Sequence, residues 1–350
     1  MSNYGNWRTH YLRGAGNAYY VDYNQKKDNG DALTVSEAHG YGMLLAVYHD
    51  CRDDFDGLVR YFDLFVNPKG LMGWQQKRDR HNNIVPAKDG DTDGTGSATD
   101  GDIDIAHALF LAADKWPGAP DGRGPSEYFQ RAVNLCGAIF EYTVNKDLWV
   151  FTLGDWVDRS DQKVKEASVF WNLTRTSDFI LAAVHTFAAK DVARRDGWER
   201  LRQGLVTCLL QLHAENPIGL LPDFAEYKHG HWRAVHGQVL ESKHDGDFHY
   251  NSCRTPWRLA AYLKVSGDQR LLPILQGMVR FFEGQKMIHA GYKLNGKHYV
   301  DYSDRAFTAP AWMALHMMGS SHARRVWESL GDDEDAYFGD SIAMLCQAQL

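Results

Sequence analysis

The chain lacks the marks of several large protein classes. It has no run of about 18 consecutive apolar residues, so no segment of it reads as a membrane-spanning helix. It has no block of Lys and Arg, and its net charge of −7 with a pI near 6.1 argues against a nucleic-acid partner. Cysteine is scarce. The five (Cys51, Cys136, Cys208, Cys253, Cys346) are far apart and form no C-x-x-C pair, which excludes a structural zinc knuckle and a dense disulfide framework. Four of them fall within apolar helical patterns, where thiols behave as small hydrophobes. No Pro-, Ser- or Gly-rich linker divides the 350 residues, so a single domain over 1–350 is predicted. Strand signals are few: residues 149–152, and a hairpin over 291–300 with its turn at Asn295-Gly296. The opening MSNYGNWRTH has no apolar core of a signal peptide, as expected for a mature secreted chain carrying an added Met.

What the chain does have is aromatic side chains and buried-helix patterns. Its 11 Trp, 17 Tyr and 16 Phe suit either core packing or stacking on the apolar faces of sugar rings. Six short stretches are apolar on nearly every face: 42–48, 103–113, 179–188, 259–265, 307–318 and 342–348. Each has an amphipathic partner, at 3–13, 53–66, 126–144, 195–214, 268–282 or 320–330. In 53–66 the stripe is Phe55, Leu58, Val59, Phe62 and Phe65. The spacing is too irregular for a solenoid repeat. Pairs with one member buried all round and one buried on a single face close into an inner ring of six helices inside an outer ring. The predicted fold is all-α, an (α/α)6 barrel, with residues between Gly14 and Thr34 read as irregular.

Polar residues gather at the same end of these inner helices. Glu37, in SEAHGYGMLLAVYH, heads the first; burial there raises a carboxylic acid's pKa, as a general acid requires, although a first-turn carboxylate also favours the helix dipole without any chemistry. Asp100 and Asp102, in SATDGDIDIAHALFLAADKW, head the second; such residues cap free N–H groups or hold ligand hydroxyls, and one of each role fits. Ser177-Asp178 heads the third, and residues 251–258 the fourth. Carboxylates from distant parts of the sequence therefore meet at the barrel mouth, which favours an enzyme. Residues 89–94 (DGDTDG), with Asp100 in the twelfth place, imitate a calcium loop, but the loop lacks the usual Glu at that place and a helix before it. No metal or cofactor is predicted.

The blocks SEAHGYGMLLAVYH, ATDGDIDIAHALFLA and NSCRTPWRLAAYL, together with Pro222-Asp223-Phe224, resemble glycoside hydrolase family 8. That resemblance implies an (α/α)6-barrel endo-glycanase that cuts β-1,4 links with inversion, with Glu37 as general acid and Asp100 binding the sugar at the cleavage point. One block departs. Where cellulase-like members carry the general base Asp in Tyr-Asp-x-x-Arg, this chain has Tyr250-Asn251-Ser252-Cys253-Arg254, and an amide has no basic lone pair. A subgroup with the same replacement takes its base from a Glu on the upstream loop. Here that loop reads VLESKHDGDF, which implies Glu241 as the base, while Asp245 and Asp247 flank Gly246 and shape the turn.

Within that resemblance Asn251 is expected to hold the water or the sugar. Arg254 is expected to orient Asn251 or a carboxylate, a plain salt bridge near the helix start being the alternative. Tyr41, Trp74 and Trp156 are the expected cleft aromatics, with Trp116, Trp257 and Trp312 in the core. The subgroup includes chitosanases and lichenases. A cleft edged by Glu37, Asp100, Asp102, Asp178, Glu241, Asp245 and Asp247 would attract ammonium groups, so chitosanase is placed ahead of β-1,3-1,4-glucanase. The expected partner is a polysaccharide, bound by a monomer. A non-catalytic glycan-binding barrel would have to lack the acid or the base, and a metal-dependent phosphodiesterase would rest only on the Asp-rich loop.

Overall fold

The computed structural model describes residues 3–27, 30–89, 92–117, 126–158, 170–331 and 336–350. Among the described residues twelve α-helices alternate between two rings. The inner ring is α2 (Ser36–Tyr48), α4 (Thr99–Lys115), α6 (Leu181–Lys190), α8 (Thr255–Ser266), α10 (Arg305–Met317) and α12 (Tyr337–Ala348). The outer ring is α1 (Tyr4–Tyr11), α3 (Arg52–Phe65), α5 (Glu127–Tyr142), α7 (Arg195–Glu215), α9 (Leu272–Glu283) and α11 (Ala323–Glu328). Each inner helix touches the next, and α12 returns to α2, so the ring is closed. The predicted (α/α)6 architecture is the one observed.

The two rings differ as their sequences require. In α2 every residue from Ala38 to Val47 is buried, and in α10 every residue from Ala306 to Leu315. By contrast α3 buries Phe55, Leu58, Val59 and Tyr61 on one side and leaves Leu64 exposed. Close approach at one place sets up the site. A Cβ on Gly101 would lie 2.5 Å from Ser36 Oγ, so only glycine lets the first turns of α2 and α4 meet. The outermost closure joins distant parts of the chain: Trp7 Nε1 of α1 donates to Ser341 Oγ of α12 at 2.9 Å, and the Tyr11 hydroxyl donates to Asp340 Oδ2 at 2.6 Å.

Short strands decorate this frame: β1 (Leu12–Ala15), β2 (Ala18–Val21), β3 (Ala32–Val35), β4 (Gln75–Arg78), β5 (Ile84–Pro86), β6 (Lys88–Asp89), β7 (Thr92–Asp93), β8 (Val144–Asn145), β9 (Val150–Phe151), β10 (Leu173–Arg175), β11 (Phe224–Lys228) and β12 (His231–Ala234). They form two three-stranded sheets, β3-β4-β5 and β10-β11-β12, and the hairpins β1-β2, β6-β7 and β8-β9. Residues 14–34 are thus less irregular than predicted. Gly16, at a φ of +65°, turns the chain so that the β-favouring Ala18-Tyr19-Tyr20-Val21 pairs back on Leu12–Ala15. The predicted strand at 149–152 is β9, entered through Trp149 at a φ of +52°. The predicted hairpin over 291–300 is reduced to a turn, Gly296 N–H to the Lys293 carbonyl at 2.8 Å, with single bridges from Tyr292 to Phe248 and His298. All five cysteines are free thiols, and four of them are buried.

Candidate active site

A cleft of about 840 Å³ opens at the N-terminal ends of the inner helices. Glu37 and Asp100 reach it from the first turns of α2 and α4, which Gly101 holds together. Asn251 reaches it from the turn before α8, and Glu241 from the loop between β12 and that turn. Four residues singled out in the sequence therefore share one wall.

Behind them lies Arg254, only 1% exposed. Its Nη1 donates to Glu37 Oε2 and to Asp100 Oδ2, both at 2.9 Å, and to the Tyr41 hydroxyl at 3.2 Å. Its Nη2 donates to Ser177 Oγ at 2.9 Å and Asn251 Oδ1 at 3.1 Å, and its Nε to the Asn251 carbonyl at 3.2 Å. A buried cation is costly unless paired, and here the rigid guanidinium fork is satisfied on every side.

The two carboxylates on Arg254 are pushed apart. Burial raises Glu37 to about 7; the Asp100 charge adds to the rise, while Arg254 and a hydrogen bond from Tyr337 at 3.1 Å oppose it. Burial also presses Asp100 upward, but Arg254, Arg175 and the Gly101 N–H outweigh it and hold the carboxyl below its ordinary value. Of the pair, Glu37 keeps its proton up to about pH 7, while Asp100 gives its proton up far below that. Two neighbouring carboxyls with opposed environments mark out an acid and an anion.

Glu241 occupies the other side of Asn251. Asn251 Nδ2 donates to Glu241 Oε2 at 2.7 Å, and Arg175 Nη2 lies 3.2 Å from Oε1. The Glu241 side chain is 44% exposed, so water reaches it. Its loop is built around Asp245, whose carboxylate accepts four backbone N–H groups, from Val239, Leu240, Glu241 and Ser242, at 2.8–3.1 Å. Asp245 thus shapes the turn, as its place beside Gly246 predicts. Asp247 is tied to Lys293 at 2.7 Å and His244 at 2.8 Å. Asp223 plays the same part for the Asn251 turn: it accepts from the backbone N–H groups of His249, Asn251 and Ser252, from Ser252 Oγ, and from Asn251 Nδ2. Burial raises the Asp223 carboxyl to about 6 against these bonds.

Several predicted residues lie elsewhere. Asp102 is fully buried, its Oδ1 accepting the Met72 N–H at 2.8 Å and its pKa pushed well up by burial. Two residues along a helix is a rotation of about 200°, which turns it away from the cleft that Asp100 faces. Asp178 is also fully buried, behind Arg175, and burial raises it to about 7; its Oδ2 has no hydrogen-bond partner among the described residues. Tyr41 is buried, and its hydroxyl meets Arg254 rather than the cleft. Arg254 likewise lies behind the wall, hydrogen-bonded to Glu37, Asp100 and Asn251. Trp74 does line the cleft, its Nε1 donating to the Asp93 carbonyl at 3.0 Å. Trp156 is 40% exposed and edges against Phe170 outside the cleft lining. Trp257 and Trp312 are buried and Trp116 partly so. Of the calcium-like loop, Gly90 and Asp91 lie outside the described residues, while the Asp100 carboxylate is turned to Arg254.

Other site residues were missed. Arg175, Tyr250, Asp304 and Tyr337 line the cleft, and Asp223 lies beneath it. Asp304 and Tyr337 head α10 and α12, so the convergence noted at four inner helices extends to all six. Carrying that rule to the last two would have found them.

The profile of Glycosyl hydrolases family 8 matches residues 2–349. A beta-glucanase of Niallia circulans is 33% identical over 361 residues, covering 98% of this chain and 81% of that protein. The solved apo structure of a beta-1,3-1,4-glucanase from Paenibacillus sp. X4 is 33% identical with a TM-score of 0.83, covering 98% of this chain and 88% of that one. A cold-adapted family 8 xylanase structure shares the fold at a TM-score of 0.75 and 17% identity, covering 97% of this chain and 85% of that one.

Proposed function

Because the chain belongs to glycoside hydrolase family 8, we propose that it is an endo-acting, inverting β-glucanase that cleaves β-1,4 links in mixed-linkage β-1,3-1,4-glucan. In this reading Glu37 protonates the leaving glycosidic oxygen as the bond to the anomeric carbon breaks. Glu241 takes a proton from the water that attacks the same carbon from the opposite face. Asp100 holds sugar hydroxyls beside the scissile bond, and Asn251 steadies the water. The observation that carries the reading is the separation of the two carboxylates. Glu37 and Glu241 do not touch; the Arg254 guanidinium and the Asn251 amide stand between them in a continuous hydrogen-bonded line. Inverting enzymes keep their acid and base about 6.5–9.5 Å apart to seat a water, and that requires two carboxylates out of direct contact.

Charge supports a neutral glucan over chitosan. Of the seven acidic residues expected to draw ammonium groups, Asp102 and Asp178 are buried off the cleft, and Asp245 and Asp247 are occupied with the loop. Those facing the cleft are paired, Glu37 and Asp100 with Arg254 and Glu241 with Arg175; of the other charged residues lining it, Lys26 balances Asp304 in number. Beyond Asn24 and Gln25 the groove continues past Lys27, Lys77, Arg78 and Arg80, with Asp22, Asp31 and Asp79 as its carboxylates, so it carries no anionic excess. The names of the 33%-identical relatives point the same way. One copy carries both proposed carboxylates, so a monomer suffices. A polymer does not cross a membrane, which puts the reaction outside the cell.

Reducing-sugar release from lichenan, carboxymethylcellulose, xylan and chitosan, measured side by side, tests the substrate. Lichenan is expected to be cut at least about tenfold faster than the others; preferential cleavage of chitosan overturns the substrate assignment. Proton NMR during early hydrolysis is expected to show the α-anomer first, and Glu241→Gln to be as inactive as Glu37→Gln. A β-anomer appearing first would mean retention and a different role for Glu241.

A further inference from the structure

We propose that His289, His298 and Asp301 form a binding site for a divalent transition-metal ion such as zinc, on the loop between α9 and α10. The three ligand atoms lie within 4.8 Å of one another. Around tetrahedral zinc, with bonds of about 2.0–2.1 Å, ligands stand about 3.3 Å apart, so closing on an ion draws the gathered atoms together and tilts the two imidazoles out of parallel. His298 and Asp301 are exposed and free to move in this way, and His298 Nε2 is 3.5 Å from Asp301 Oδ1. The two imidazoles stack face to face, with centroids 3.9 Å apart and planes within 2°.

The backbone holds this arrangement together. Tyr292 bridges to His298, the Lys293 N–H donates to the Lys297 carbonyl at 2.9 Å, and the Ala290 N–H donates to the Tyr302 carbonyl at 3.0 Å. The two ends of the loop are thereby fixed side by side. His289 is held in place by its neighbours: its ring hydrogen-bonds the Met287 backbone, and its Nδ1 lies 3.4 Å from the Tyr292 hydroxyl. Two imidazoles and one carboxylate form a nitrogen-rich donor set, which favours zinc, copper or nickel over magnesium or calcium. The site lies apart from the cleft but is joined to its neighbourhood. Tyr299, next to His298, stacks on His244 at 4.0 Å and meets His249 Nδ1 at 2.6 Å. Those histidines lie on the segment running from Glu241 to Asn251.

Calorimetric titration of the chelator-treated full chain with zinc chloride tests the site. One equivalent is expected to bind, with affinity reduced at least about tenfold by His298→Ala and by Asp301→Ala, both exposed positions that leave the fold intact. Hydrogen exchange is expected to slow at residues 289–302 on adding zinc to the wild type and not to the His298→Ala variant. No saturable binding up to about 1 mM zinc, or wild-type affinity in both variants, overturns the proposal.

Discussion

At position 254 one planar cation touches Glu37, Asp100 and Asn251, and each contact bears on a different step. With Glu37 raised to about 7 by burial, the acid is protonated below that pH and loses its proton above it. Wild-type kcat/KM is therefore expected to fall about tenfold per pH step above about 7, a limb that a pH–rate profile reads directly. Glu37→Gln keeps the shape but has no proton to give; kcat should drop about a hundredfold or more while oligosaccharide affinity stays within a few-fold. A variant retaining over a tenth of wild-type kcat contradicts the role. Asn251→Asp tests the other flank. It deletes the Nδ2 donor shared by Glu241 and Asp223 and sets a third carboxylate beside them. Activity should fall at least about tenfold, and the loss of Tm should grow between pH 5 and 8 as the like charges ionise. Restored or raised activity would mean that position 251 itself prefers a base. Glu37 and Asp100 were legible in the sequence because each stands at the start of an unmistakably buried helix. Asp102 was not separable from Asp100, since only the helix rotation tells which of two neighbouring aspartates faces the cleft.

At the scale of the loop carrying Glu241, position depends on four N–H groups converging on one carboxylate. Asp245→Asn replaces one accepting oxygen with a donor that meets the same amides. Glu241 should lose its aim, lowering kcat about 10- to 100-fold with KM little changed, since a displacement of about 1 Å in a catalytic group costs that much. Unchanged kcat would show that Arg175 and Asn251 alone hold Glu241. That Asp245 shapes the turn could be read beside Gly246. That it does so by gathering the amide of Glu241 itself could not, because nothing in a sequence says where backbone N–H groups point. Arg175 escaped notice for a related reason: it leaves the end of a three-residue strand, too short to carry a periodic pattern.

For the whole molecule, the outer layer is completed where α1 seals against α12, more than three hundred residues away. Trp7 is buried, stacks on Tyr4 with centroids 5.9 Å apart and donates to Ser341. Trp7→Ala should cost about 3–5 kcal/mol, and scanning calorimetry should show one lowered transition. A separate early transition would mean that α1 folds onto a barrel already complete. The six helix pairs were legible because inner and outer members differ so strongly in how many faces are apolar. Substrate preference was not, because it depends on the balance of Lys26, Arg175 and Arg254 against the cleft carboxylates, and that balance exists only once the walls have assembled.

The line from Glu37 through Arg254 and Asn251 to Glu241 has a consequence for turnover. In the proposed reaction each cycle ends with the proton on the wrong carboxylate: Glu37 has given one up and Glu241 has gained one. A guanidinium and an amide hold their protons fast at working pH, so the connecting line carries no current. The enzyme is recharged through water in the cleft, which reaches both the partly exposed Glu37 and the more open Glu241. Emptying the cleft and re-arming the acid then become a single event, and a product slow to leave delays both.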